Sequence, residues 1–277
     1  MFMEIGLAAQ LSDEIESQTG LPCHGESSPM STLMPSSMPP MNSASFDSTA
    51  ITQDGVPVPA SLPLGTERLA KGSLRFLIKR AIDLTGAFVG LLLLAPILGV
   101  IALLIRLDSR GPVLFKQLRR GYRGQPFWIL KFRTMSVNAE QELVELESSN
   151  ESHGGVLFKL RNDPRITRLG ATLRRYSLDE IPQLINVLRG EMSLVGPRPL
   201  PLRDSDLLFA SDPEGYERRL AVLPGVTGPW QVGGRSKLNH ERMVELDIDY
   251  VDHWSLGRDL MIICKTFLVV LLRVGAY

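Results

Sequence analysis

The longest uninterrupted apolar stretch of the chain runs from Leu84 to Ile105. As a helix it would measure about 33 Å at ~1.5 Å per residue, which is enough to cross a hydrocarbon core of ~30 Å. Pro96 lies in the middle of the stretch, where proline removes a backbone hydrogen bond and bends a helix. The pattern is compatible with a helix that spans a membrane, with a helical hairpin that enters and leaves by one face, and with a buried core helix.

Basic residues flank the apolar stretch on both sides. A spanning helix usually has its excess of lysine and arginine on the cytoplasmic side alone. Two basic flanks instead favour a hairpin, over residues 76–106, and they would also bind anionic lipid headgroups. The basic positions are Arg68, Lys71, Arg75, Lys79 and Arg80 before the stretch and Arg106, Arg110, Lys116, Arg119, Arg120 and Arg123 after it.

Shorter patterns beyond the apolar stretch predict a mostly helical, membrane-associated α/β domain with a small sheet. Residues 113–115 and 127–130 have the composition of strands, and Gly121 and Gly124 mark a turn between them. The last helical segment is short for a tilted span, so we expect it to lie in the membrane interface or to pack on the core. The helical segments are 136–147, 166–175, 177–190, 237–253 and 260–274.

Residues 1–66 differ from the rest in being rich in Ser, Pro, Met and Thr. They show no sustained apolar period, so they offer too little apolar surface to offset the entropy of ordering. We predict a disordered extension that serves as a linker or a docking segment, followed by one domain over residues 67–277. The start of the chain does not have the pattern of a signal peptide, because Asp13 and Glu14 interrupt any apolar run.

The overall composition excludes several classes of protein. The chain has 277 residues, with 30 lysines and arginines balanced by 30 aspartates and glutamates. A zero net charge argues against a general nucleic-acid binder, which needs a basic excess to displace counterions. The two cysteines, Cys23 and Cys264, are too few and too far apart for a disulfide framework or a zinc site.

The segment from Ser177 to Glu180 has two interpretations. Ser177 and Glu180 have the spacing of a helix capping box, and Pro182 is compatible with a helix start. At such a start, the free N–H groups and the helix dipole would also keep Asp179 and Glu180 ionised. An ionised carboxylate held in place can act as a nucleophile or a metal ligand. The spacing alone leaves both interpretations open.

Several cationic side chains could bind phosphate groups beside this acidic pair. The planar guanidinium of arginine binds two phosphate oxygens at once. Arg198 stands between Pro197 and Pro199, which fix the backbone and limit where its side chain points. Each of these cations taken alone is also explained as a solvated surface charge. The other candidates are Lys131, Arg133, Arg174, Arg175 and Arg235.

Four blocks of sequence together resemble the signature motifs of the bacterial sugar transferases, the monotopic polyprenyl-phosphate phosphoglycosyl transferases. The resemblance extends over about residues 75–277, in the order that is typical of the family. The blocks are Lys131–Met135, Ser177–Gln183, Met192–Pro199, and Pro224–Gly228 with the following Gln231 and Gly234-Arg235.

The resemblance implies a re-entrant helix-break-helix hairpin with its break at Ala95-Pro96, and an active site at the cytoplasmic face of the bacterial inner membrane. It implies that Asp179 and Glu180 are catalytic with Mg²⁺, and we expect Asp179 to be the nucleophile and Glu180 the main metal ligand. The implied phosphate site comprises Lys131 and Arg198, to which we add Arg133, Arg174, Pro197 and Arg235 as expected substrate-binding residues.

The implied reaction moves a sugar-1-phosphate from a UDP-sugar to undecaprenyl, or another polyprenyl, phosphate and releases UMP. The product would start an exopolysaccharide or other surface glycan, with downstream glycosyltransferases and a second copy of the chain as expected partners. No residue decides between glucose and galactose as the sugar. Two alternatives are a metal-dependent lipid-phosphate phosphatase and a non-enzymatic membrane scaffold of a polysaccharide assembly.

Overall fold

The computed structural model describes residues 73–146, 150–151, 157–158, 160, 162–234 and 239–272. The predicted extension over residues 1–66 lies outside them. The helices are α1 Leu74–Asp108, α2 Ala139–Leu146, α3 Arg168–Arg175, α4 Gln183–Arg189, α5 Leu202–Ser211, α6 Pro213–Arg219, α7 Pro229–Gly233, α8 His240–Asp252 and α9 Leu256–Leu271. The strands are β1 Leu114–Arg120, β2 Pro126–Phe132, β3 Ser193–Val195 and β4 Gly225–Thr227.

Helix α1 is continuous and contains the whole apolar stretch. Ser73 caps its start, where the hydroxyl accepts a hydrogen bond from the backbone N–H of Phe76 at 3.1 Å. Helical backbone continues through Ala95 and Pro96, where the sequence predicted a break. Proline permits this because its fixed φ suits a helix, although it removes one hydrogen bond and favours a bend. Within the described ranges, α1 alone is long and apolar enough to cross a membrane, and the re-entrant hairpin is not confirmed.

Both halves of α1 pack against the same body of the protein, and both contact β2. Ala87, in the first half, belongs to a buried cluster with Phe127 at the start of that strand. Ile101 and Ile105, in the second half, lie in a cluster with Phe132 at its end. Much of the surface between these contacts is apolar and exposed, which is typical of a protein or lipid interface. Its exposed residues include Phe88, Val89, Leu92, Leu93, Ile97 and Val100.

A buried polar network fastens the start of α1 to the core. Lys79 Nζ forms an ion pair with Asp259 of α9 at 2.7 Å and donates to the carbonyl of Val195 at 3.1 Å. The same carboxylate accepts hydrogen bonds from Tyr250 Oη at 2.7 Å and Trp254 Nε1 at 3.1 Å. A buried charge is tolerated when it is paired and hydrogen-bonded in this way. The network therefore holds α1, α9 and the end of β3 in one arrangement.

The small sheet that the sequence predicted is present as two separate pairs of strands. β1 and β2 are antiparallel, with Phe115 opposite Lys131. The turn between them contains Arg123 and Gly124, whose φ angles of 52° and 73° are left-handed, and it confirms the predicted turn. β3 and β4 are parallel, and their register brings the segments after both strands together. A side chain at Gly225 would lie 2.1 Å from the backbone nitrogen of Gly196, so this approach requires glycine.

The capping box, one of the two interpretations of the segment Ser177–Glu180, is wrong. Ser177 adopts a left-handed conformation with φ of 54°, and its hydroxyl caps no helix in the described structure. Its N–H donates to the carbonyl of Arg174 at 3.1 Å, so Ser177 closes the end of α3. A short 3₁₀ turn, Leu178–Glu180, follows, and α4 begins only at Gln183, after Pro182.

The final helix, α9, has one face on the core and one face exposed. Ile262 packs in a cluster with Tyr250 and Trp254, which confirms that the segment contacts the core. The other face is apolar and exposed at Leu260, Met261, Phe267, Leu268 and Leu271. A helix with these two faces has the pattern expected of an element that also contacts a membrane interface.

Gly170 allows α3 to lie against the segment after β2, so its replacement tests this packing. A Cβ at Gly170 would lie 2.0 Å from the carbonyl oxygen of Thr134. We expect Gly170→Ala to lower the free energy of unfolding by about 1–3 kcal/mol through overpacking, as measured by thermal unfolding in detergent. Gly257→Ala is the matched control, since its Cβ would meet only Ser255 Oγ at 3.9 Å. Equal melting temperatures for both variants would contradict the packing.

Candidate active site

The acidic pair Asp179-Glu180 lies in the short turn between α3 and α4. Asp179 is buried, and the side chain of Glu180 is only 19% exposed. The left-handed Ser177 ends α3 and Pro182, with φ of −58°, leads into α4, so both ends of the turn are fixed by local backbone preferences. The turn thus presents two adjacent carboxylates inside the protein rather than at a surface.

Two cations from distant parts of the chain converge on one oxygen of Glu180. Lys131 Nζ, on β2, lies 2.7 Å from Glu180 Oε1. Arg198 Nη2, in the loop after β3, lies 3.0 Å from the same oxygen. Burial alone would raise the pKa of Glu180, but the charges of Arg198 and Lys131 outweigh it and hold that pKa far below its usual range. The two cations therefore stabilise the ionised form of Glu180.

The neighbouring Asp179 is shifted in the opposite direction. Burial raises its pKa, and the negative charge of Glu180 raises it further. Lys131, Arg174 and Arg198 oppose this shift without reversing it. The sequence pattern predicted a helix N-terminus that would keep Asp179 ionised. That explanation fails, because no α-helix starts at this residue. The pair instead consists of one fixed anion and one carboxyl group that gains a proton more readily, which is a common arrangement where two acids have different roles.

Asn186, which sequence reasoning missed, connects the strand that carries Lys131 to the helix that follows the acidic pair. Its Oδ1 accepts from the N–H of Leu130 at 3.0 Å, and its Nδ2 donates to the carbonyl of Trp128 at 2.8 Å. Asn186 is fully buried. A buried side chain that satisfies strand groups in this way fixes α4 against β2. The only signal in the sequence was an asparagine in the otherwise apolar segment Leu184–Leu188.

The loop that carries Arg198 is held from several directions. The carbonyl of Pro197 accepts from the N–H of Gly225 at 2.9 Å, which ties the loop to β4. Arg219 donates to the carbonyl of Arg198 at 2.9 Å while its ion pair with Asp247 is buried. The guanidinium carbon of Arg198 also lies 5.5 Å from the ring centroid of Trp230, within cation–π distance. The direction of this side chain is therefore set before any ligand binds.

The remaining predicted site residues have different positions. Arg133 is turned away from the acidic pair, since it donates to the carbonyls of Ser109 at 2.7 Å and Pro112 at 2.6 Å. Arg133 thereby holds the segment that follows the C-terminal end of α1. Arg174, in the last turn of α3, is close enough to lower the pKa of Asp179. Arg235 lies outside the described residues.

The carboxylates of Asp179 and Glu180 could hold Mg²⁺ only if a substrate supplied further ligands. Within the described residues no group of three or more His, Cys, Asp or Glu side chains could hold a metal ion. Mg²⁺ is commonly bound by one or two carboxylates that are completed by substrate phosphates and water. Asp179 and Glu180 match that pattern, and both cations contact Oε1 of Glu180, which leaves Oε2 as the oxygen for a metal ion.

The opposed shifts within the acidic pair can be measured through Arg174. Removing its charge in Arg174→Gln should raise the pKa of Asp179 further, because Arg174 stabilises the ionised form. The measurement is a carboxyl ¹³C NMR titration of aspartate-labelled protein in metal-free detergent solution, with the resonance assigned from Asp179→Asn. Arg175→Gln, which removes an exposed charge from the same helix, should leave the titration unchanged. An Asp179 that titrates at or below the usual ~4 in the wild type would contradict the arrangement.

Comparison with known proteins identifies the family of this chain. A family model described as "Bacterial sugar transferase" matches residues 74–273. The UDP-galactose-lipid carrier transferase of Erwinia amylovora is 44% identical over 215 residues, covering 76% of this chain and 44% of that protein. The exopolysaccharide production protein ExoY of Rhizobium meliloti is 42% identical over 202 residues, covering 72% and 88%. The UDP-glucose:undecaprenyl-phosphate glucose-1-phosphate transferase of Caulobacter vibrioides is 43% identical over 204 residues, covering 72% of each.

Several of the curated relatives are longer proteins, of which the matching segment makes up 43–44%. The match to the family model covers the helix α1, the acidic pair and the cations around it. The chain belongs to the bacterial sugar transferase family.

Proposed function

We propose that this protein transfers a sugar-1-phosphate from a UDP-sugar to undecaprenyl or another polyprenyl phosphate and releases UMP. The observation that carries the proposal is the pair Asp179-Glu180, in which Glu180 is fixed by Lys131 and Arg198 while Asp179 is not. Two relatives support it: the UDP-galactose-lipid carrier transferase of Erwinia amylovora and the UDP-glucose:undecaprenyl-phosphate glucose-1-phosphate transferase of Caulobacter vibrioides. The product would start an exopolysaccharide or another surface glycan.

In the proposed mechanism Asp179 acts as the nucleophile. Its carboxylate oxygen attacks the β-phosphorus of the UDP-sugar, and the bond from that phosphorus to the bridging oxygen breaks. UMP leaves with the bridging oxygen, while the phospho-sugar stays on Asp179. An oxygen of the lipid phosphate then attacks the same phosphorus, which forms the lipid diphosphate-sugar and regenerates the carboxylate.

Cations around the pair make this attack feasible at neutral pH. The nucleophile must be ionised, and the charges of Lys131, Arg174 and Arg198 limit the rise in the pKa of Asp179 that burial and Glu180 cause. Lys131 and Arg198 also face the oxygens that a diphosphate would bring, and such preset charges stabilise charge that develops during transfer. Mg²⁺, held by Glu180 with Asp179 beside it, would neutralise part of the diphosphate charge when bound.

We also propose that α1 is re-entrant, so that both of its ends lie on the cytoplasmic side of the inner membrane. Two contacts support this topology, since Ala87 and Ile105 pack on clusters that both contain residues of β2. One folded body cannot lie on both sides of a bilayer. Pro96 lies between these contacts, where a bend would return the helix to the face from which it entered.

The proposed reaction is tested by incubating the purified protein with a panel of UDP-sugars, undecaprenyl phosphate and Mg²⁺. Asp179→Asn should reduce UMP release and lipid product by roughly 1,000-fold or more, because it removes the nucleophile. Glu180→Gln should slow both severely and weaken the dependence on Mg²⁺. Glu214→Gln, at an exposed carboxylate on α6, is the control and should match the wild type.

The same assay separates the alternatives. Release of inorganic phosphate from the lipid, with no UMP, would identify a lipid-phosphate phosphatase. A folded protein that turns over none of the UDP-sugars, while its Asp179→Asn variant still supports polymer production in cells, would identify a scaffold.

The topology of α1 is tested with single cysteines at Arg75 and Arg110, in a background without Cys23 and Cys264. A membrane-impermeant thiol reagent should label both positions from the cytoplasmic side only. Pro96→Leu should favour a straighter helix and expose one end to the periplasm. Periplasmic labelling of either position in the otherwise unaltered protein would show that α1 spans the membrane.

A further inference from the structure

Arg119 of β1 is a buried arginine next to the phosphate site, and the sequence pattern placed it only among the basic flanks of the apolar stretch. Only 8% of the surface of Arg119 is exposed. Nη1 donates to the carbonyl of Pro199 at 2.6 Å, and Nη2 donates to Gln117 Oε1 at 2.7 Å. Both acceptors are neutral, so these hydrogen bonds fix the guanidinium without cancelling its charge.

The charge of Arg119 is not neutralised by an ion pair in the described part of the chain. Burial and the neighbouring Arg198 lower its pKa to about 9, while Asp204, Glu180 and Glu140 act in the opposite direction. It is therefore protonated at neutral pH. Burying a charge without a paired partner is unfavourable. An anion bound nearby would compensate it.

Arg119 is also attached to the loop that carries Arg198. Its backbone forms an antiparallel bridge with Pro201, and its side chain binds the carbonyl of Pro199, the residue after Arg198. Arg219 holds the carbonyl of Arg198 itself. The loop is thus held at the carbonyls of Arg198 and Pro199, and the N–H of Gly225 holds the carbonyl of Pro197 on the other side of Arg198.

We propose that Arg119 is a positioning residue for the diphosphate group of the donor, which acts by holding the loop of Arg198 and by adding a fixed positive charge beside it. This rests on the proposed function, because a diphosphate is the anion that the donor would bring. Two adjacent guanidinium groups repel each other, so the free site is poised to gain from a multiply charged anion that reduces this repulsion.

The experiment compares Arg119→Gln and Arg119→Lys with the wild type, using the UDP-sugar that the wild type turns over. Arg119→Gln should raise the KM for UDP-sugar and the Kd for UDP by about tenfold or more, and lower kcat by less. Arg119→Lys should recover part of this loss, since it keeps the charge but has one nitrogen for two acceptors. Lys116→Gln removes an exposed charge from the same strand and should leave both constants unchanged.

A coupling measurement shows whether Arg119 acts through Arg198. If it does, Arg198→Lys should raise the Kd for UDP by a smaller factor in the Arg119→Gln background than in the wild type. Additive effects of the two substitutions would overturn the positioning role.

Other outcomes also decide against the inference. An Arg119→Gln protein with a lower melting temperature but unaltered KM and Kd would show a purely structural arginine. If Arg119→Gln does not fold, Arg119→Lys alone decides: a KM and a Kd for UDP above the wild-type values support the role, and constants equal to the wild type overturn it. UDP affinity is measured by calorimetry without turnover, so it tests Arg119 even if the wild type transfers no sugar and the proposed function fails.

Discussion

The two ion pairs of Glu180 are the interaction on which the rest of the site depends. They join the turn after α3, which carries Glu180, to β2 and to the loop after β3. Lys131 of β2 is 49 residues from Glu180 in sequence, and Arg198 of the loop is 18 residues from it. Because one carboxylate oxygen serves both Lys131 and Arg198, loss of its charge would leave two partly buried cations unpaired. Within the described residues Asp179 has no ion pair of its own, and its pKa is raised while that of Glu180 is lowered.

The long apolar helix α1 is built into the same framework. Asp83 of α1 accepts a hydrogen bond from the N–H of Leu194 at 3.0 Å, and Lys79 binds the carbonyl of Val195. Val195 lies three positions before Arg198, so the long apolar helix directly contacts the strand that leads to the loop of Arg198. In the proposed function, this connection would hold the site at a fixed distance from the apolar surface of α1.

Local patterns in the sequence predicted most of the elements, but not how polar side chains are shared between them. Strands β1 and β2, the turn at Gly124 and the core-facing final helix follow from residue type and period, and the structure confirms them. The short strands β3 and β4 were not predicted, because three-residue segments carry no recognisable period. The capping box failed because Ser177 serves the preceding helix instead. Arg133 lies away from the acidic pair, and Asn186 was missed, because both make contacts with distant backbone groups that no local pattern encodes.

In the proposed mechanism Glu180 is fixed so that Asp179 can carry the phospho-sugar. The sharpest experiment mixes the enzyme with a UDP-sugar and Mg²⁺ in the absence of lipid acceptor and measures UMP, the intact protein mass and, after digestion, the peptide masses. We expect a burst of about one UMP per active site and a mass increase of one phospho-sugar on the peptide that contains Asp179, both absent in Asp179→Asn. Transfer that proceeds normally when lipid is added, with no burst and no adduct beforehand, would contradict it.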